Sequence, residues 1–360
     1  MGAGRFALRT DAGAGHMRLF VCQNCRNMLH FENTRCESCG LSLGFLPAPG
    51  MLSAFAADGV TALADRRAWK PCANAAHEVC NWMLPAEAAE EYCPACRHNE
   101  VVPDLGVPEN LPLWQRLEAA KHRLIYTLDR MGLPHDPAEL RFSFLADTVG
   151  QPAMTGHDQG RITVALAEAD DVEREKRRSQ MHEPFRTLLG HFRHEVGHYY
   201  FLVLVERRGR QAAFRELFGD ERADYAAALQ AHYARPPNDD WRGTHISAYA
   251  AAHPHEDWAE TFAHYLHMVD SLEMASSFGM RVRPHLDREG VLEADVDFSP
   301  YRAGMDEILQ AWTPVTVAMN AMNRCMGTPD LYPFVLSPKV AEKLRFIHQL
   351  VQDGPDARAS

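Results

Sequence analysis

The segment Leu188 to Phe201 reads LLGHFRHEVGHYYF and contains His194-Glu195-Val196-Gly197-His198, two histidines four positions apart with a glutamate after the first. On a helix, positions i and i+4 share a face. Both imidazoles can then meet one zinc ion while Glu195, rotated about 100° from His194, reaches the water that the metal activates. Zinc draws the pKa of that water toward about 7, and Glu195 can take the proton and deliver it to a leaving amine. A zinc that keeps one position open for chemistry usually has three protein ligands. The best source of the third is His255 to His267, HEDWAETFAHYLH, where Glu256 and Glu260 lie four apart on one helical face. One of them can bind zinc while the other holds a ligand histidine through its far ring nitrogen. Asp224 and Glu221, within GDERADY, and His264 compete for the third position. By type and place, His264, His267 and His191 read as helix-surface or satisfied core residues.

Cysteine carries a second chemistry, because eight of the nine fall within the first hundred residues. Cys22, Cys25, Cys36 and Cys39 give C-x2-C-x10-C-x2-C. Two such knuckles can close four sulfurs around one zinc at about 2.3 Å, and Gly40 supplies a permissive backbone after the second. Four thiolates leave no open position, so this zinc is structural; a redox or iron–sulfur centre is the lesser alternative. Cys72, Cys80, Cys93 and Cys96 have the less regular spacing C-x7-C-x12-C-x2-C, with His77 between the first two as a substitute ligand. An interleaved pairing of the two sets is the other arrangement open to them. One or two structural zinc ions are therefore expected beside a catalytic one. Cys325 reads as a buried apolar thiol in a C-terminal helix.

These side chains need elements to hold them. Residues 17–101, with short apolar stretches and many turn formers, build a core only with metal staples and read as a zinc-ribbon domain. Ahead of them, residues 1–16 read as a disordered extension. Residues 102–112 carry three prolines and read as a linker to a second domain over 113–353. There Leu117, Leu124, Leu128 and Met131 form one stripe of a helix that Gly132 closes, and Leu140–Leu145 and Arg161–Leu166 alternate as strands on either side of 150–160. The charged run from Glu168 to Arg178 reads as a solvated face. Helical patterns then cover 185–207, 211–232, 255–276, 304–325 and 338–352. Strands first and helices afterwards predict the α+β class, a small antiparallel or mixed sheet with a mostly helical body.

A net charge of -11 argues against a general grip on phosphate backbones, so nucleic acid is disfavoured as a partner. No apolar run reaches the roughly 18 residues of a membrane span, and the opening residues lack the apolar stretch of a signal peptide. No membrane association is expected, and the cytoplasm, where thiols stay reduced, is the expected location.

Three stretches, CQNC with CESC, TLLGHFRHEVGHYY and HPHEDWAETFAHYLH, together resemble the bacterial zinc metallopeptidases that carry an N-terminal zinc ribbon, over nearly all of 17–350. Among the wider gluzincins, Tyr249 through Phe262 also resembles the protease domain of anthrax lethal factor, in which a tyrosine precedes an E-x-x-A-E-x-F helix at the same spacing. Tyr249, Glu256, Ala259, Glu260 and Phe262 match it. The resemblance implies a zincin-like catalytic domain with Glu256 as third zinc ligand and Glu260 as the group that orients a ligand histidine. It also implies Tyr249 as a hydroxyl donor to the oxyanion. The interval from His198 to Glu256 is longer than in many gluzincins, and Asp224 falls inside it. The implied activity is hydrolysis of a peptide or isopeptide-like amide in a peptide or protein substrate, with the strand Arg161–Leu166 offering its edge to an extended chain. The rival reading is a zinc-ribbon module that binds nucleic acid or protein, its HExxH body silent. No signal in the sequence speaks to oligomeric state.

Overall fold

The computed structural model describes residues 19–147, 153–171, 174, 187–235 and 240–354. The expected extension over 1–16 and most of the charged run beyond Asp171 lie outside the described residues.

Apolar runs interrupted by cysteine knuckles leave room only for short strands. β1 (Phe20–Val21) pairs with β2 (Met28–Leu29), β3 (Leu43–Leu46) with β4 (Met51–Ala54), and β5 (Trp69–Pro71) with β6 (Met83–Pro85), each antiparallel. Ladders of two to four residues contribute little stability alone. Aromatic rings fill the space between them: Phe45 and Trp82 are 4.8 Å apart between centroids, and Phe31 packs edge-on to Phe45 at 5.0 Å and to Tyr126 at 5.2 Å.

Tyr126 belongs to α1 (Asn110–Met131), so this cluster joins the cysteine-bearing part to the helical part. Proline is tolerated in a first helical turn, and α1 accordingly takes in Asn110–Pro112, the end of the stretch read as linker. Gly132 closes α1 at φ +65°, its N–H bonded to the Asp129 and Leu128 carbonyls. A strand makes a second join, because β7 (Asn99–Val101) pairs parallel with β8 (Arg141–Leu145).

The sheet is mixed, in the order β7-β8-β10-β9. β10 (Arg161–Ala165) runs parallel to β8, with Ile162 opposite Phe142 and Val164 opposite Phe144, all four buried. β9 (Gly156–Asp158) then pairs antiparallel with the far side of β10. The expectation that Arg161–Leu166 offers a free edge is therefore corrected: β10 is internal, and among the described residues β9 is the edge on that side. Gly156-His157-Asp158 has no β-branched residue and lies in a stretch that reads as loop; the tight turn after it makes it a strand. Gln159 and Gly160 both take positive φ, 44° and 90°, as a two-residue hairpin turn requires, and a Cβ on Gly160 would lie 2.2 Å from the Glu139 carbonyl.

Thr187 caps α2 (Leu188–Phe201) by accepting from the Gly190 N–H, and the chain continues through a π-helical turn to Glu206. The single helix expected over 211–232 is two, α3 (Gln211–Phe218) and α4 (Tyr225–Ala234). Gly219, at φ +98°, ends the first, and the Asp224 side chain caps the second. Pro254 opens α5 (Pro254–Ser277), which packs across α2, and α6 (Met305–Cys325) and α7 (Pro338–Gln352) complete the body. The main hydrophobic core runs from Phe20 and Trp82 through Leu124 and Phe262 to Leu344, and a smaller one gathers Leu46, Phe55, Trp69 and Met83. Cys325 is exposed, against expectation, because the buried face of α6 ends at Thr316 and its last turns project past the core.

Candidate metal centres and active site

The first cysteine set forms two turns, each closed by a backbone hydrogen bond, Arg26 N–H to Cys22 O at 2.9 Å and Gly40 N–H to Cys36 O at 2.8 Å. Arg26 and Gly40 both adopt positive φ, which turns the chain so that each Cys pair faces inward. The Sγ atoms of Cys22, Cys25, Cys36 and Cys39 lie within 4.8 Å of one another, with Cys22–Cys39 and Cys25–Cys36 at 3.6 Å. A tetrahedron of sulfurs about 2.3 Å from zinc has edges of about 3.8 Å, close to these separations. Cys72, Cys80, Cys93 and Cys96 form a second tetrad, all buried, with Cys80–Cys93 at 3.6 Å. The two sets are separate, not interleaved, and His77 is in neither. The imidazole beside the second set is His122 of α1, its Nε2 3.2 Å from Cys80 Sγ and its Nδ1 2.7 Å from the Glu118 carbonyl.

A third group joins α2 to α5. His194 Nε2 lies 3.3 Å from His198 Nε2 and 3.1 Å from Glu256 Oε2, and His198 Nε2 lies 3.8 Å from the same oxygen. His194 Nδ1–H donates to Glu260 Oε1 at 2.8 Å, which leaves Nε2 as the ring nitrogen that a metal would take. Glu256 Oε1 accepts from the Tyr225 hydroxyl at 2.5 Å, while Oε2 is buried and has no hydrogen-bond partner among the described residues. These three ligand atoms, two ring nitrogens and a carboxylate oxygen, converge in a buried space where a cation between them would satisfy all three. Nitrogens about 2.1 Å from a tetrahedral zinc stand about 3.4 Å apart, which the histidine pair matches. The donor set fits zinc. The helices can come this close because residue 197 is glycine: a Cβ there would meet Ala259 Cα at 3.0 Å and its carbonyl at 3.1 Å. Trp258 Nε1–H bonds the Gly197 carbonyl at 2.8 Å and fixes the crossing.

Residues 110–350 match the model of a family described as putative zinc-binding metallo-peptidase, and residues 19–107 match that of a zinc-ribbon domain. The chain belongs to this metallo-peptidase family. Uncharacterized proteins of Mycobacterium tuberculosis and Mycobacterium bovis are 41% identical to it over 348 residues, covering 94% of this chain and 97% of theirs. No solved structure matches the chain.

In this member of the family the residues singled out in the sequence come together. Glu195, beside His194, is buried. Burial alone would raise its pKa, but the His191 hydrogen bond and charge, with His194 and His198 nearby, hold it at about 2. Tyr249 sits in a 3-10 turn with its ring centroid 5.8 Å from that of His194, and burial together with the Glu256 charge raises its pKa, so it keeps its proton. Glu260 Oε2 accepts from Ser247 Oγ at 2.7 Å, completing the hold on His194. The competitors are engaged elsewhere: Asp224 accepts from the Ala227 N–H at 3.0 Å, Glu221 pairs with Arg215, and His264 Nδ1 lies 2.7 Å from the Tyr332 hydroxyl. His267 lies against Arg193, so it and His264 are satisfied core residues as read.

Besides Ser247, four residues at the site escaped the sequence. Tyr225 reaches Glu256 only because the break after α3 turns α4 toward the site. His157 of β9 stacks on His198 at 5.7 Å; its Nε2 accepts from the Gly160 N–H at 2.9 Å, and burial pushes its pKa down to about 4. His191, read as a surface or core residue, lies 3.1 Å from Glu195. Glu168, read as the start of a solvated run, is 1% exposed, because the 3-10 turn Leu166–Ala169 folds under α1. Asp171, further along the same run, does face solvent.

Proposed function

We propose that this chain hydrolyses an amide bond in a peptide or protein substrate, with zinc held by His194, His198 and Glu256. The observation that carries this reading is the buried, unbonded Glu256 Oε2 facing two imidazole nitrogens at 3.1 and 3.8 Å. Zinc bound there supplies a Lewis acid that acidifies water and polarises a carbonyl. Glu195 accepts a proton from the attacking water as its oxygen bonds to the carbonyl carbon. It then delivers that proton to the amine nitrogen as the C–N bond breaks. Tyr249, protonated, donates from its hydroxyl to the oxyanion, and Glu260 holds His194 in one tautomer.

The two thiolate tetrads are structural zinc sites, which brings the expected total to three ions. The substrate lies extended along the free edge of β9, Gly156–Asp158, beside His198. Reduced thiolates suit the cytoplasm, and the net charge of -11 suits a protein substrate better than a nucleic acid.

The test is cleavage of a peptide library by the purified, zinc-loaded chain. A chelator stops cleavage and added zinc restores it, and Glu195→Gln keeps its zinc while turnover falls by about 100-fold or more. A zinc-replete wild type that cleaves nothing in the library would favour the silent binding-module reading.

A further inference from the structure

Glu195 has three rotatable bonds and, as a base, must present its carboxylate in one place. One turn earlier on α2, His191 directs Nε2 at Glu195 Oε1, 3.1 Å away. Its other nitrogen, Nδ1, lies 3.4 Å from Glu168 Oε2. The imidazole thus stands between two buried carboxylates, Glu168 at 1% and Glu195 at 7% exposure. An ionised carboxylate only accepts, so the 3.1 Å contact is a hydrogen bond from Nε2–H to Glu195, while the Glu168 carboxylate lies beside Nδ1 as an electrostatic neighbour outside hydrogen-bonding geometry. Glu168 comes from a different element, the 3-10 turn that follows β10, and its backbone carbonyl accepts from the Arg174 guanidinium at 3.1 Å. A carboxylate buried this deeply costs several kcal/mol unless it is paired, and the His191 ring is one of the groups that stand against it.

We infer that His191, anchored by Glu168, is a positioning residue that fixes the Glu195 carboxylate by taking its Oε1. That leaves the second carboxylate oxygen to exchange the proton. The inference rests on the reading of Glu195 as the general base. Its geometry is independent of substrate, because sheet, turn and α2 set the line Glu168–His191–Glu195 without one. The arrangement works as ligand-orienting carboxylates do at metal sites, where loss of the outer partner costs about 10 to 100-fold.

The experiment compares crystal structures and kinetics of the zinc-loaded full chain as wild type, His191→Ala, His191→Leu, His191→Gln and Glu168→Gln. Leucine fills the ring's volume in case the alanine cavity prevents folding. In wild type Glu195 should occupy one conformer on His191; in the alanine and leucine variants it should shift or split, with zinc content unchanged. On a library substrate kcat should fall about 10 to 100-fold with KM within about twofold. His191→Gln, whose amide N–H can still reach Glu195, should recover part of the loss. Glu168→Gln should lower kcat alone and add nothing to His191→Leu, since its effect passes through the ring. An unmoved, single Glu195 conformer in the alanine or leucine variant overturns the inference whatever kcat does. If the wild type cleaves no peptide, the peptidase reading fails, and the crystal structures alone decide the role of His191.

Discussion

Glu256 and Glu260 have the same side chain one turn apart on α5, and their partners separate them. Glu256 turns a bare oxygen toward two imidazole nitrogens, whereas both oxygens of Glu260 are taken, by His194 Nδ1–H and by the Ser247 hydroxyl. Changed to glutamine they should therefore fail differently. Glu256→Gln should weaken zinc at this centre, because an amide oxygen is a poorer ligand for the cation than a carboxylate. Glu260→Gln should retain more metal and lose about 10 to 100-fold in affinity or activity, and Asp224→Asn should leave zinc binding unchanged. Chelator competition followed by zinc analysis reads all three. Full occupancy in Glu256→Gln with loss in Asp224→Asn would move the third ligand to the turn before α4. The spacing of Glu256, Glu260 and the HExxH histidines was legible because each set repeats along one helix. Tyr225, Ser247, His157 and Glu168 reach the site from four other segments, and no local spacing records such an approach. His122 stands 26 residues beyond the last cysteine of its tetrad, inside a helix whose pattern speaks only of packing.

At the scale of elements, the site depends on how close α2 and α5 come. Gly197 lies between His194 and His198, and its missing side chain lets the Ala259 backbone approach. Gly197→Ala should gain up to about 1 kcal/mol of helix propensity and lose about 1–3 kcal/mol to overpacking. The neighbour is backbone, so relief requires the helices to part by a few tenths of an ångström. The expected result is little net gain in stability but zinc at the α2–α5 centre bound at least several-fold more weakly. Thermal unfolding and zinc competition on the same samples check it. Equal zinc affinity in the variant would show that the close approach is packing alone. The long helices and the two buried strands were readable because apolar periodicity over many residues outweighs local noise. β9 and the break after α3 were not, since both are decided at single turns, Gln159–Gly160 and Gly219, where backbone conformation and not hydrophobic pattern sets the outcome.

Across the whole molecule, the sequence divides at the cysteines while the packing does not. β7 follows the last cysteine of the second tetrad by three residues and lies in the same sheet as β8, whose strand neighbour β10 leads into the turn bearing Glu168. His122 joins α1 to Cys80, and beside it the buried Lys121 pairs with Glu118 at 2.8 Å and bonds Asn99 of β7. The first tetrad is placed differently. Cys25 is exposed and Cys39 half-buried, and its surroundings meet the body through Phe31 and the Asn81 side chain, which donates to the Phe31 carbonyl at 2.7 Å. Loss of the two metals should therefore have unequal consequences. Cys39→Ser should release one zinc and loosen the first hairpins while the helical body melts near its wild-type temperature. Cys80→Ser should remove the support of β7 and α1 together. A loss of a few kcal/mol at that join should lower the melting temperature of the body by roughly 5–10 °C. It should also weaken zinc at His194, His198 and Glu256, because α1 packs directly against α2. Calorimetry with zinc analysis on both variants decides it: equal melting of the helical body in the two would mean that the second tetrad, despite its contacts with α1, staples only the ribbon.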